Sequence, residues 1–324
     1  MSGRSPLLLP LVVVLGPTAS GKSSLALALA NVLHGEIVSA DSMQVYRGLD
    51  IGTAKPTAAE RAAVPHHMID VVEPAQDFSV AQFQAQARQT VQAICSRGHL
   101  PIVVGGTGLY VRALLYDYDF SAPGADSELR ANLATVAREQ GLDELRRQLA
   151  AVDPVAVDRI HANDERRIIR ALEVWHLTRR PISDGWGDLS PCYDALRVGI
   201  ALPRFQLGTR IDERVDIMVA QGLVEEVKGL MARGFTTALV AGQALGYKEI
   251  VDSVSGRLPL PAAIAAIKRA TRQYAKRQMT WFRRERDVHW LAGPGQAQGA
   301  ILSASLALVR ARWGTYPPCQ GSSM

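Results

Sequence analysis

LVVVLGPTASGKSS, residues 11–24, is the stretch from which the rest of the chain is read. Its five leading apolar residues, Leu11 to Leu15, have the length and branching of a buried strand. Gly16, Pro17, Thr18, Ala19, Ser20, Gly21, Lys22 and Ser23 then fit G-x-x-x-x-G-K-[ST], and LALALANVL continues as a helix. The motif therefore has its required setting, strand before and helix after. Glycine lets the backbone turn tightly, so that successive N–H groups converge on an anion. The helix beginning near Lys22 adds the positive end of its dipole. Lys22 brings a mobile charge, and the Ser23 hydroxyl is the expected ligand of Mg²⁺. The loop predicts a bound phosphate or diphosphate and leaves its bearer open.

Working outward, the pattern alternates. Glu36–Ala40 reads as a short strand ending at Asp41. DSMQVYRGLDIGTAKP, 41–56, is irregular and polar, and Ala58–Ala63 a short helix. Another strand is expected within 64–72. Ser79 has the features of an N-cap for a helix to about Arg97, with Gly98 just past its end. Leu100–Val104 is an apolar strand, followed by GGTGLY and a helix. Such alternation predicts an α/β fold, a P-loop parallel sheet flanked by helices. Ligand groups then belong at the carboxyl ends of the strands, which selects the phosphate loop, the Asp41 loop and the GGTG loop.

The alternation stops near Asp117. DYDFSAPGAD is a linker by composition, and 126–178 reads as helices throughout. Gly141 separates two of them, Asp153-Pro154 starts a third, and Asn163 is expected to cap a fourth. The chain thus divides into a first core part, 1–119, an all-helical insertion, 120–192, and a second core part, 193–315. Residues 316–324 are expected to be a disordered tail. Leu196–Leu202 returns to the sheet. Helices follow between Arg204 and Arg233, broken at Gly222, then a long basic helix over Leu260–Arg286, and a last one near Ala300–Arg312.

Bulk properties narrow the function. In 324 residues, 48% hydrophobic, there is material for one large domain with an inserted one. Cys95, Cys192 and Cys319 lie far apart, which argues against a disulfide framework and a cysteine zinc site. His66, His67 and Asp70 lack a third ligand at suitable spacing. The apolar segment from Pro6 runs straight into the phosphate loop, so it reads as a strand and not as a signal peptide. With no apolar run long enough to span a bilayer, a cytoplasmic chain is expected. Net charge is +5, yet Ile267–Asp287 alone holds eight basic and two acidic residues. Arg269, Arg272, Lys276 and Arg283 fall in one stripe of that helix, with Ile267, Ala270, Tyr274 and Trp281 as its buried side. An unneutralised stripe points to a polyanion such as RNA or DNA.

Further residues carry chemistry. Asp41 ends the strand expected to neighbour the first, so its carboxylate can hold Mg²⁺ through water, act as a base, or cap a turn. Thr107 stands where many nucleotide hydrolases carry Asp or Glu. Its turn offers N–H groups and a hydroxyl to a diphosphate, or is simply a tight turn that needs glycine. Arg210 and Arg214 share a helix face and either grip phosphate or pair with Asp212, Glu213 or Asp216. Arg166, Arg167 and Arg170 form a basic face opposite Ile168, Leu172 and Trp175.

Over nearly its whole length the chain resembles the bacterial tRNA dimethylallyltransferases. The resemblance rests on GPTASGKS (16–23), DSMQVYRGLDIGTAKP (41–56), VPHHMID (64–70) and GGTGLYVRALL (105–115). It continues in DPVAVDRIHANDERRIIRALEV (153–174), GLVEEV (222–227), ALGYKE (244–249) and TRQYAKRQMTWFR (271–283). It implies transfer of the dimethylallyl group of dimethylallyl diphosphate to N6 of the adenosine immediately 3′ of the anticodon, with release of diphosphate. Gly16, Thr18, Ala19, Ser20, Gly21, Lys22 and Ser23 would grip the diphosphate, with Mg²⁺ at Ser23 and with Thr107 and Arg214 completing the cage. Asp41 would take the proton or hydrogen bond of the adenine amine. Three segments would contact tRNA: Asp41, Ser42, Met43 and Gln44; Arg166, Arg167, Ile168, Ile169 and Arg170; and Gln243, Ala244, Leu245, Gly246, Tyr247 and Lys248. The partner is the tRNA anticodon stem-loop, and a monomer without obligate protein partner is expected. The eukaryotic members' zinc finger has no cysteine pair here. Three other functions remain for the residues alone: a prenyltransferase of free adenine nucleotides, a P-loop small-molecule kinase using ATP, and a non-catalytic RNA-binding protein.

Overall fold

The structure, a computed structural model, describes residues 8–120, 126–187, 189–292 and 298–314. It forms two units. One is built from the chain up to Leu115 and again from Cys192 onward, the other from Tyr116–Pro191.

The larger unit is organised on six strands: β1 (Pro10–Leu15), β2 (Gly35–Ser39), β3 (His66–His67), β4 (Leu100–Gly105), β5 (Asp194–Ala201) and β6 (Val288–Ala292). They form one sheet in the order β3-β2-β4-β1-β5-β6, every neighbouring pair parallel. All six residues of β1 are buried, as a central strand covered on both faces requires. Side chains alternate across a strand. Val12 and Val14 of β1 join Ile102, Val104, Val198 and Ile200 in one cluster, which the helices Lys22–Leu33 and Gln298–Trp313 cover with Leu25, Leu29, Ile301 and Val309. The helices Val80–Ser96 and Gly108–Leu115 pack together against β4. Ser79 starts the first of these with a capping box: its Oγ accepts from Gln82 N at 3.2 Å, and Gln82 Oε1 accepts from Ser79 N at 2.8 Å.

One expectation about the sheet is corrected. β2 is not beside β1, because β4 lies between them. The chain leaves β1, skips a place to lay down β2, and fills the gap two strands later. The GGTG turn after β4 therefore stands between the phosphate loop and the Asp41 loop. β3 has only two residues, and β6 was not foreseen. VHWLA is short, breaks its apolar run with His289 and pairs with β5 alone, so it has little pattern of its own.

Tyr116–Pro191 holds the helices Ser127–Gln140, Leu142–Val152, Pro154–Arg159 and Glu165–Thr178, and a short turn of 3₁₀-helix at Ile182–Trp186. Gly141, at φ 88°, joins the first two in a conformation that glycine adopts most readily. Asp153 caps the third, its Oδ1 accepting from Ala156 N at 2.9 Å. The cap of the fourth is Asp164, whose Oδ1 accepts from Arg167 N, and not Asn163. Asn163 instead donates its N–H to His161 Nδ1. Leu133, Leu145, Leu149, Ile168, Ile169 and Leu172 form the unit's own core. Its two ends depart from the larger unit side by side, for Cys192 N donates to Leu115 O at 2.8 Å. The expected disordered tail at 316–324 lies outside the described residues. Among those residues no helix is long and apolar enough to cross a membrane.

Candidate active site

The phosphate loop occupies 16–21, between β1 and its helix. Gly21 caps that helix at φ 94°, a left-handed conformation that L side chains rarely adopt. Lys22 Nζ reaches back to Pro17 O at 3.3 Å. Burial brings the Lys22 ammonium down to about 8, aided by the neighbouring Arg214 charge and opposed by Asp41. Ser20 Oγ is buried within the loop without a protein partner. Ser23 is exposed on the first turn of the helix.

Asp41 follows β2 by two residues. Its Oδ1 accepts from Met43 N at 2.9 Å, which leaves Oδ2 for a ligand. Beside it, Thr107 Oγ1 accepts from Ser42 N at 3.0 Å, and Thr107 N donates to Ala40 O. The glycines of the turn are explained by close approach. A Cβ on Gly105 would lie 2.1 Å from Ala40 O, and one on Gly106 the same distance from Gln278 Nε2. Gln278 itself joins two of the loops: Thr18 N donates to its Oε1 at 2.8 Å, and its Nε2 donates to Gly106 O at 2.9 Å.

Gln278 lies on the long helix Leu260–Phe282, whose buried side is Ala263, Ile267, Ala275, Gln278 and Phe282. Tyr274, one turn earlier, hydrogen-bonds with Thr107 and Gln278. Burial and the Asp41 charge push its phenol up to about 12, against those bonds. Of the expected bare stripe, Arg269, Arg272, Lys276 and Arg283, it is Arg272 that meets an acid, and Lys268 beside the stripe meets another. Lys268 pairs with Asp216, and Arg272 with Asp212, both acids on the helix Arg204–Ala220. Those carboxylates turn to the basic helix and not to Arg210 or Arg214. Arg214 is thereby free for the site, where burial lowers its pKa and the Asp41 charge raises it. Arg210 Nη1 is buried and has no protein partner.

Of these groups Thr18, Asp41, Arg214 and Tyr274 line one cavity of about 360 Å³, and Lys22, Ser23, Thr107, Arg210 and Gln278 are not in its lining; the volume fits a small ligand. Thr18, Asp41 and Arg214 line its polar part. Ile211, Val215, Met218, Leu223 and Ile267 supply an apolar wall. Ser42 and Met43, Gly52 and Thr53, Gln243 to Gly246, Lys248, Thr271, Tyr274 and Arg277 complete it.

Several residues expected at an RNA surface do other work. Gln44 spends its amide within its own loop: Nε2 donates to Thr53 O at 3.1 Å, and Ser39 Oγ donates to Oε1 at 2.8 Å. Tyr247 is fully buried, and its hydroxyl donates to Glu226 at 2.6 Å. Glu226 also accepts from the N–H groups of Asp50, Ile51 and Gly52, and so ties down the 41–56 loop. Ile168 and Ile169 lie in the helical unit's core. Arg170 pairs with Glu173, a fully buried acid that also takes Arg130. Arg166 and Arg167 are the exposed residues of that segment, Arg167 in contact with Asp164. Gln278 and Tyr274 were missed as site residues. Their signal was a polar amide and a phenol on the otherwise apolar side of an amphipathic helix.

Phosphate loop, central parallel sheet and a cavity with one charged and one apolar side define an enzyme of the P-loop α/β class. The sequence matches the IPP transferase family over residues 44–285 and the isopentenyl transferase family over residues 9–70. It is 48% identical to the tRNA dimethylallyltransferase of Symbiobacterium thermophilum over 96% of this chain and 97% of that one. It is 50% identical to that of Geobacter metallireducens over 88% and 93%. The fold matches the tRNA isopentenylpyrophosphate transferase of Bacillus halodurans with a TM-score of 0.68 at 41% identity, covering 94% and 97% of the two chains. It matches a eukaryotic dimethylallyltransferase acting on tRNA with a TM-score of 0.79 at 28% identity, covering 94% of this chain and 78% of that one. The chain belongs to the tRNA dimethylallyltransferase family.

Proposed function

We propose that this enzyme transfers the dimethylallyl group of dimethylallyl diphosphate to N6 of the adenosine immediately 3′ of the anticodon in tRNA, releasing diphosphate. The observation that carries the reading is the shared cavity. Thr18 of the phosphate loop, Arg214, Asp41 and a hydrocarbon wall line the same space. A kinase needs no such wall.

In the reaction the C1–O bond to diphosphate breaks and a C1–N6 bond forms. Negative charge grows on the leaving oxygens, where the loop N–H groups, Lys22 and Arg214 stabilise it. The buried Ser20 Oγ and Arg210 Nη1, both without protein partners, are further donors that an anion would satisfy. The adenine amine is a weak nucleophile, since its lone pair is delocalised into the ring, and depends on being held against C1. Its proton passes to Asp41 Oδ2, while Oδ1 is fixed by Met43. Thr107, itself anchored on Ser42, completes the cage. The Ser23 hydroxyl, with phosphate oxygens and water, would suit Mg²⁺, which would further neutralise the leaving group.

The target base has to leave the anticodon-loop stack to reach the cavity. Gln243, Lys248 and Arg277 are the polar residues of its lining suited to RNA. Arg166 and Arg167 of the helical unit are proposed to hold the stem-loop. The test is incubation of the protein with Mg²⁺, labelled dimethylallyl diphosphate and unmodified tRNA, with AMP replacing tRNA in a parallel reaction and ATP replacing the diphosphate in another. Label in tRNA supports the reading. Label in AMP alone moves it to the free-nucleotide enzyme, and ATP turnover without prenyl transfer to a kinase.

A further inference from the structure

We propose that Met218 is the end wall that limits the transferred group to a single five-carbon unit; the inference rests on the dimethylallyl reading of the cavity. Ile211, Val215 and Met218 are spaced four and three residues apart on the helix Arg204–Ala220, so they share a face, and Arg214 lies beside them. The guanidinium that meets the diphosphate and the side chains that meet the hydrocarbon thus belong to one rigid element. Arg214 and Met218 are four residues apart, which sets their Cβ atoms roughly 5–6 Å from each other. A tail that runs along this face from the Arg214 end meets Met218 one turn further on, and a longer tail has to pass that side chain.

Behind this wall lies a second cavity of about 610 Å³. Ile51, Ala54, Pro56 and Ile217 contribute to its lining. Arg214 and Met218 are the two side chains that line both cavities. Arg214 is committed to the diphosphate, so the partition that hydrocarbon would strike is the Met218 thioether. Methionine is unbranched and fills irregular gaps, and shortening it joins the two spaces. Bond-making is the same for either chain length: C1–O breaks, C1–N6 forms, and the N6 proton goes to Asp41. Only the tail distinguishes the substrates.

The experiment compares dimethylallyl and geranyl diphosphate with unmodified tRNA, using the wild-type protein, Met218→Ala and Ile217→Ala. Wild type is expected to transfer the five-carbon group and to use geranyl diphosphate at least about a hundredfold less well in kcat/KM. Met218→Ala is expected to raise the geranyl-to-dimethylallyl ratio at least about tenfold. Ile217→Ala, whose side chain lines the second cavity alone, is expected to leave the ratio unchanged. Should Met218→Ala fail to fold by thermal melt, Met218→Val is read in its place. An unchanged ratio in the folded Met218 variant, or an equal rise in Ile217→Ala, overturns the proposal, as does wild-type protein that accepts both lengths equally. Wild-type protein that transfers neither overturns the dimethylallyl reading itself.

Discussion

Asp41 has one carboxylate oxygen fixed by Met43 N–H and its other oxygen left for substrate. Asp41→Ala is expected to lower kcat for prenyl transfer to tRNA by about 10²–10⁴-fold, the span of general-base catalysis, with a smaller change in KM for the diphosphate. Single-turnover label transfer reads this directly. A second residue offers a test through pH. Glu36, at the start of β2, is buried, which resists its charge, yet it accepts from Arg97, His67 and His99 at 2.7, 2.6 and 2.7 Å. The bonds win and bring its carboxyl down to about 2. Because the folded value lies below the unfolded one, the stabilisation is complete above the ordinary carboxylate range. It drains away as pH falls towards 2. Urea midpoints of Glu36→Gln are expected to lie below wild type at neutral pH and to converge on it in acid; a constant gap would refute the assignment. Asp41 was legible as a cavity residue because it follows a strand at the carboxyl edge of a parallel sheet, which is a local pattern, although that strand is not the neighbour of β1 it was expected to be. Glu36 was not, since its partners come from two other places in the chain, His67 and the turn holding Arg97 and His99. Ile168 and Ile169 show the opposite error: a segment recognised by resemblance carries core residues along with surface ones.

The three loops at the carboxyl edge of the sheet are held by helices that arrive much later in the chain. Gln278 fastens the phosphate loop to the GGTG turn, and Glu226 fastens the 41–56 loop through three backbone N–H groups. Gln278→Ala leaves Thr18 N and Gly106 O without this partner. A stability loss of about 1–3 kcal/mol is expected, with a raised KM for dimethylallyl diphosphate. Calorimetry and initial rates measure the two. Each fastening spans over 170 residues of sequence, so no local reading could find it. What was legible were elements with strong local signals: the run of β1, the Ser79 cap, the Asp153-Pro154 start. The strand order was not, because any of several parallel orders satisfies the same buried runs. The basic helix was legible as basic, but its partial neutralisation by Asp212 and Asp216 needed the packing of two helices.

The two units of the molecule divide the proposed work. The larger holds the cavity, and the helical one presents Arg166 and Arg167. Replacing 116–191 by a short glycine-serine link is expected to leave a folded core that still binds dimethylallyl diphosphate but transfers it to tRNA far more slowly. Titration calorimetry and the transfer assay separate these outcomes. Arg166→Glu with Arg167→Glu is expected to weaken tRNA binding and to flatten its dependence on log salt by about 1–2 in slope. Leu115 and Cys192, joined through the Cys192 N–H and the Leu115 carbonyl, bound the helical unit where it departs from the core and returns. That bond makes the core a socket: any module whose own termini lie together could be plugged in there without stretching a strand, and one that grips a different RNA would carry the same prenyl chemistry to a new address.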